Sequence, residues 1–167
     1  MKKLFFTLIA IVATSLASFS QTSLHDAYLS LKDIPGMKVK NDQAVQLNGI
    51  ANISQARTAS AITDRNADRL RGQFNDVIES LPGEDVIINS NTTGDFATIL
   101  AEPADYHLYN VLILQGDALT GLFSATYGTA TAEGIEAIKA GKSLLESNDL
   151  VLTPVSSAHG TLITMTE

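Results

Sequence analysis

The chain has no cysteine and no tryptophan. Without thiols there is no disulfide, no thiolate zinc site, no iron–sulfur cluster and no cysteine nucleophile. Cations are scarce as well: 11 Lys and Arg stand against 18 Asp and Glu, a formal net charge of −7. Nucleic acids and anionic membrane surfaces are held through cationic patches, so neither is an expected partner. Beyond the N-terminal leader no window reaches the roughly 18 consecutive apolar residues of a membrane span. Apolar residues make up 45% of the 167, which is enough for the core of one ordinary domain.

The N-terminus has the pattern of a secretory signal peptide. Lys2 and Lys3 precede an apolar run over 4–13, and small and polar residues follow, with Ser18 and Ser20 before Gln21. The run is too short to span a bilayer, which takes about 20 residues. No cysteine follows it, so a lipidated cleavage site is excluded. Cleavage after Ser20 removes Lys2 and Lys3 and no acid, taking the net charge from −7 to −9. The expectation is a periplasmic or secreted protein with residues 21–167 as a single domain.

Within that domain, residues 22–32 carry Leu24, Ala27, Tyr28 and Leu31 at helical spacing, with Ser23 or Thr22 as cap. Ile34-Pro35-Gly36 ends the helix. Met37 and Val39, then Val45 and Leu47, predict two short strands around a turn at Asn41-Asp42. Ala67, Leu70, Phe74, Val77, Ile78 and Leu81 form a second helical stripe over 63–81, extendable back through Ala59 and Ala56 towards Ser54. Four strands are expected at 85–89, 96–101, 106–115 and 119–127. Their short links require antiparallel neighbours, a meander, with Gly116-Asp117 as a hairpin tip. A last helix is expected over 131–145, with Gly134 and Gly141 explained by close approach to the sheet. Residues 150–167 form an edge strand or a frayed tail. The resulting fold class is α+β: an antiparallel sheet with a four-strand meander in the C-terminal half and helices packed on one face.

Chemistry-bearing motifs are sparse. His25, His107 and His159 have no ligand spacing, so no metal site is assigned. There is no Gly-x-Ser-x-Gly, and Ser124 falls mid-strand; Ser156 and Ser157 near His159 are too generic to define a nucleophile. Glu102 and Asp105 could be read as a carboxylate pair, but a solvated acidic turn explains them more simply. Residues 128–134 join a strand to a helix without the Walker lysine or the dinucleotide glycine spacing. Arg65, Arg69 and Arg71 read as a solvated face. Tyr28, Tyr106, Tyr109 and Tyr127 are the recognition aromatics on offer, with core packing as the default. No catalytic, cofactor-binding or metal-ligating residue is assigned, and no cofactor is expected.

Several segments together carry a resemblance. They are the Ser20-Gln21 exit, Ile34-Pro35-Gly36, Leu81-Pro82-Gly83-Glu84-Asp85-Val86, and the stretch from Tyr109-Asn110-Val111-Leu112-Ile113-Leu114 through Phe123-Ser124-Ala125-Thr126-Tyr127-Gly128. In these the chain resembles small exported Bacteroidetes proteins of domain-of-unknown-function families. That resemblance implies location and an α+β fold, and it transfers no site residue. The expected function is a non-enzymatic envelope protein binding another envelope protein or a small ligand, through a sheet face or an edge strand. The alternatives are a hydrolase whose cleft joins His107 or His159 to serine and acid, and an assembly or adhesion subunit.

Overall fold

The computed structural model describes residues 22–63, 65–91, 95–147 and 150–155. The leader at 1–20, and His159 with the rest of the tail from 156, lie outside the described residues. In chain order the elements are α1 (Leu24–Lys32), β1 (Lys38–Asn41), β2 (Ala44–Leu47), β3 (Ala51–Ile62) and α2 (Ala67–Ser80). After a 3-10 turn at Gly83–Asp85 come β4 (Val86–Asn91), β5 (Phe96–Pro103), β6 (Leu108–Asp117) and β7 (Leu122–Thr131). Then follow α3 (Ala132–Ala140), α4 (Lys142–Ser147) and β8 (Leu152–Pro154).

Among the described residues all strands join one eight-stranded sheet in the order β4-β5-β6-β7-β3-β2-β8, with β1 also paired to β3 and every pairing antiparallel. The α+β class and the β4–β7 meander are as the sequence predicts. The helices are not on one face. Leu100, Leu112, Leu114 and Phe123 pack with α1 and α2, through Leu24, Tyr28, Leu31, Leu70 and Phe74. Their strand neighbours Ile99, Val111 and Ile113 pack on the other side with Ile135 and Ile138 of α3 and Leu145 of α4. The cause lies in β6, where Val111, Leu112, Ile113 and Leu114 are all 0% exposed. Side chains alternate across a strand, so four consecutive buried residues require cover on both faces.

The two short strands expected around Asn41-Asp42 are present as β1 and β2, and both pair along β3, with Val39 opposite Ala59 and Val45 opposite Ile53. Other expectations are corrected. The stretch from Ser54 onwards, which helical spacing joined to the second stripe, belongs to the long strand β3, and α2 starts only at Ala67. The β6–β7 turn lies past Gly116-Asp117, closing at Gly121 with φ +67°. Gly116 is a strand residue opposite Phe96, whose ring occupies the space a Cβ would need. The last helix is two, divided at Gly141, where a Cβ would lie 2.8 Å from Ile50 Cδ1.

Local chemistry places the helix starts. Ser23 Oγ accepts from Asp26 N–H at 3.1 Å, and Thr131 Oγ1 accepts from Gly134 N–H at 3.1 Å, each satisfying a free first-turn donor. Under α2, Phe74 meets Phe96 and Phe123 with ring centroids 5.7 Å away and tilted planes, the geometry that aromatic quadrupoles favour. Phe74 is fully buried. Phe74→Ala should destabilise the fold by about 3–5 kcal/mol in a denaturant titration. A loss below about 1 kcal/mol would mean that this aromatic triangle does not anchor the helix.

Candidate functional site

β3 is irregular at one point, and the candidate site forms there. Gln55 adopts φ +52°, and the β3–β7 register shifts between Ser54 and Arg57, the signature of a bulge. Its partner line breaks in step. Asp42 N–H donates to Ala56 O at 2.8 Å and Gln55 N–H donates to Gln43 O at 2.7 Å, bridging the gap between β1 and β2.

The bulge lets β3 leave β7. β3 begins at Ala51 and β7 runs on to Thr131, yet their last pair is Ser54 with Thr129. Before Ser54 the strand stays with β2, while the end of β7 stays with β6, Leu108 opposite Thr131. α3 then turns the chain away from Thr131. Glycine sets how close the strands come where the split ends: a Cβ on Gly128 would lie 2.6 Å from Ile53 Cγ2 and 2.7 Å from Ser54 O.

The parting opens a cleft of about 640 Å³. Its polar lining is Gln46, Asn52, Ser54, Gln55, Thr129 and Thr131. All except Thr129 are exposed, so they present amide and hydroxyl groups to solvent. Small residues, among them Ala51, Ala130 and Gly134, line much of the rest, with Ile50 and Leu108. Among the described residues that line it, Glu133 alone is ionisable. Alternate residues of an unpaired strand edge also turn main-chain N–H and C=O groups sideways, here towards the gap. The cleft therefore offers donors and acceptors in quantity and little charge.

Of the residues weighed from sequence, the 128–134 strand-to-helix junction is at the cleft, through Thr129 to Thr131, Glu133 and Gly134, and the others lie elsewhere. His25 of α1 packs its ring on Tyr127 at 5.3 Å, and Tyr127 stacks on Tyr28, also of α1, at 5.8 Å. Burial pushes the Tyr28 and Tyr127 hydroxyls above their ordinary pKa. Tyr106 and His107 form the tip of the β5–β6 hairpin, both exposed and both left-handed, at φ +59° and +61°. Tyr109 packs against the α3–α4 face. Ser124 is buried mid-strand and donates to Gln115 Oε1 at 3.4 Å. Glu102 and Asp105 do different things. The Glu102 carboxylate accepts from Leu24 N–H at 3.5 Å and Asn110 Nδ2 at 3.2 Å, whereas Asp105 is an exposed turn residue. Arg65 and Arg69 are exposed, and Arg71 lies 3.9 Å from Asp68.

Among the described residues no group of three or more His, Asp or Glu could hold a metal ion, and no helix is long and apolar enough to cross a membrane. No protein-family model, curated protein or solved structure matches the chain.

Glu102 has an electrostatic consequence at Asp85. Burial first, then the charges of Glu102 and Glu84, raises the Asp85 carboxyl above its ordinary pKa. A raised folded-state value means the native state favours the protonated acid. Its penalty is therefore absent below the carboxylate range and grows as pH rises through the folded value. Asp85→Asn should stabilise the fold by about 0.5 kcal/mol at pH 7, a figure discounted for solvent screening, and should lose that advantage near pH 3. Equal effects at both pH values in denaturant titrations would remove the penalty on the Asp85 charge as the cause.

Proposed function

We propose that this protein is an exported, non-enzymatic binding module of the cell envelope that holds a small neutral ligand in the β3–β7 cleft. The observation that carries the reading is the parting of two strands around a lining whose polar side chains are all neutral donors and acceptors except Glu133. Carboxamides both donate and accept, so Gln46, Asn52 and Gln55 suit a ligand of hydroxyls or amides better than an ion. The volume, about 640 Å³, lies within the roughly 300–1,000 Å³ usual for ligand sites. Gln55 adds support. A non-glycine residue held left-handed persists where its surroundings impose it, and such strain gathers at ligand clamps.

Export rests on Lys2, Lys3 and the apolar run that follows them. Cell fractionation should recover a chain beginning at Gln21 outside the cytoplasm. An intact Met1 terminus confined to the cytosol would refute export.

Binding is tested by titrating isotope-labelled residues 21–167 with chitotriose, maltotriose and acetyl-trialanine amide. The expected result is a saturable shift of the Asn52, Gln55 and Thr131 amides with at least one probe. Gln55→Gly should leave stability unchanged or raise it by up to about 1 kcal/mol, since glycine tolerates the left-handed geometry. The same change should weaken the bound probe by about tenfold. If all three probes leave these amides unmoved, or Gln55→Gly binds as tightly as the parent, the cleft is not the recognition surface. Turnover of an ester, peptide or glycoside in an activity screen would favour the hydrolase reading instead.

A further inference from the structure

The opposite end of the sheet holds a second cavity of about 350 Å³, beside the β6–β7 turn. Phe96, Ala97, Leu122, Leu145 and Leu150 supply its apolar lining, and Ser90, Gln115 and Ser147 add neutral polar groups. Asp95, Asp117 and Glu146 also line it and give it negative charge. Lys142 reaches Glu146 at 3.7 Å and offsets one of these charges.

The adjoining turn is tightly held. Asp117 Oδ1 accepts from Leu119 N–H at 2.8 Å and Thr120 N–H at 3.2 Å, and Asp117 Oδ2 accepts from Thr120 Oγ1 at 2.8 Å. Asp95 Oδ1 accepts from Ala118 N–H at 2.8 Å. These bonds keep Asp117 ionised, with the Thr120 hydroxyl foremost in lowering its pKa. What the turn presents is apolar: Leu119 is 95% exposed. Ile62, paired with Leu122 across the β3–β7 ladder, is 78% exposed. A fixed apolar shoulder therefore stands at the rim of an acidic cavity whose lining is partly apolar.

We infer that this cavity takes a single lysine or arginine side chain of a partner protein, whose neighbouring apolar residues cover Leu119 and Ile62. Charge complementarity selects the cation, and the long aliphatic stem of such a side chain matches the apolar lining while its head stays among the carboxylates. A cavity of about 350 Å³ suits one long side chain. The shoulder decides between sources. A free amine would leave Leu119 and Ile62 in water, whereas a peptide with apolar flanks buries them. The net negative charge of the chain would draw such a basic segment in.

The test uses labelled residues 21–167 and three probes: acetyl-Leu-Arg-Leu amide, acetyl-Leu-Gln-Leu amide and acetyl-arginine amide. The arginine tripeptide should shift the Ala97, Gln115 and Leu145 amides and bind at least about tenfold tighter than either other probe. Added salt should weaken it. Glu146→Gln, at an exposed helix position, should cost about fivefold, and Leu119→Ser should bring the tripeptide down to the level of acetyl-arginine amide. Equal binding of the glutamine peptide would overturn the cationic assignment. Equal binding of acetyl-arginine amide would make this a small-cation site and overturn the docking surface. No shift at these three amides overturns the inference outright. Shifts confined to Asn52, Gln55 and Thr131 would belong to the other cleft, so the two readings fail separately.

Discussion

β6 has no face to give to water. With Val111 through Leu114 all buried, the strand must be sandwiched, and the two helix pairs supply the two covers. Each pair is an adjunct of a different core: aromatic and leucine-rich under α1 and α2, isoleucine- and alanine-rich under α3 and α4. Positions that would be free on a one-sided sheet are constrained here. Gly116 must leave room for Phe96 on one side, and Gly128 must admit the backbone of β3. The same double burial leaves recognition chemistry to the sheet ends, where the helices stop.

Much of the fold was legible. Ser23, Ile34-Pro35-Gly36 and Pro82-Gly83 mark real boundaries because capping and proline chemistry act locally, whatever the tertiary context. The meander was legible for a similar reason, since short links leave no room for crossovers. β3 was not. Its buried residues are Ala51, Ile53, Ala56 and Ala59, and the two three-residue steps around the bulge mimic a helix turn. Asn48-Gly49, both left-handed and closed by Ile50 N–H to Leu47 O at 2.8 Å, is a strong hairpin signal that argues for a strand after it. The doubly apolar β6 likewise pointed to helices on both faces, a meaning that alternation alone conveys once the strand is known to be internal.

The candidate site was illegible for a different reason. Gln46, Asn52 and Gln55 are ordinary polar residues on two strands with nothing in their spacing to mark them, and Thr131 belongs to a strand-to-helix junction that carries no binding motif. They converge because one extra residue in β3 changes which neighbour the strand follows. Sequence motifs flag reactive groups such as histidine, serine and paired acids. In this chain those groups went to packing and turns: His25 against Tyr127, Ser124 inside β7, Glu102 under the start of α1.

The strand order also has a kinetic side. β4 through β7 pair with chain neighbours and can zip locally, but β3 waits for β7, so Ile62 meets Leu122 only after the whole intervening segment exists. Closure entropy delays such sequence-distant ladders, and topology of this kind slows folding. In that interval the β1–β3 ribbon has bare flanks on which a stray strand could template itself. Lys38 and Lys40, exposed on β1, put positive charge on one of those flanks and discourage mispairing while the chain is incomplete.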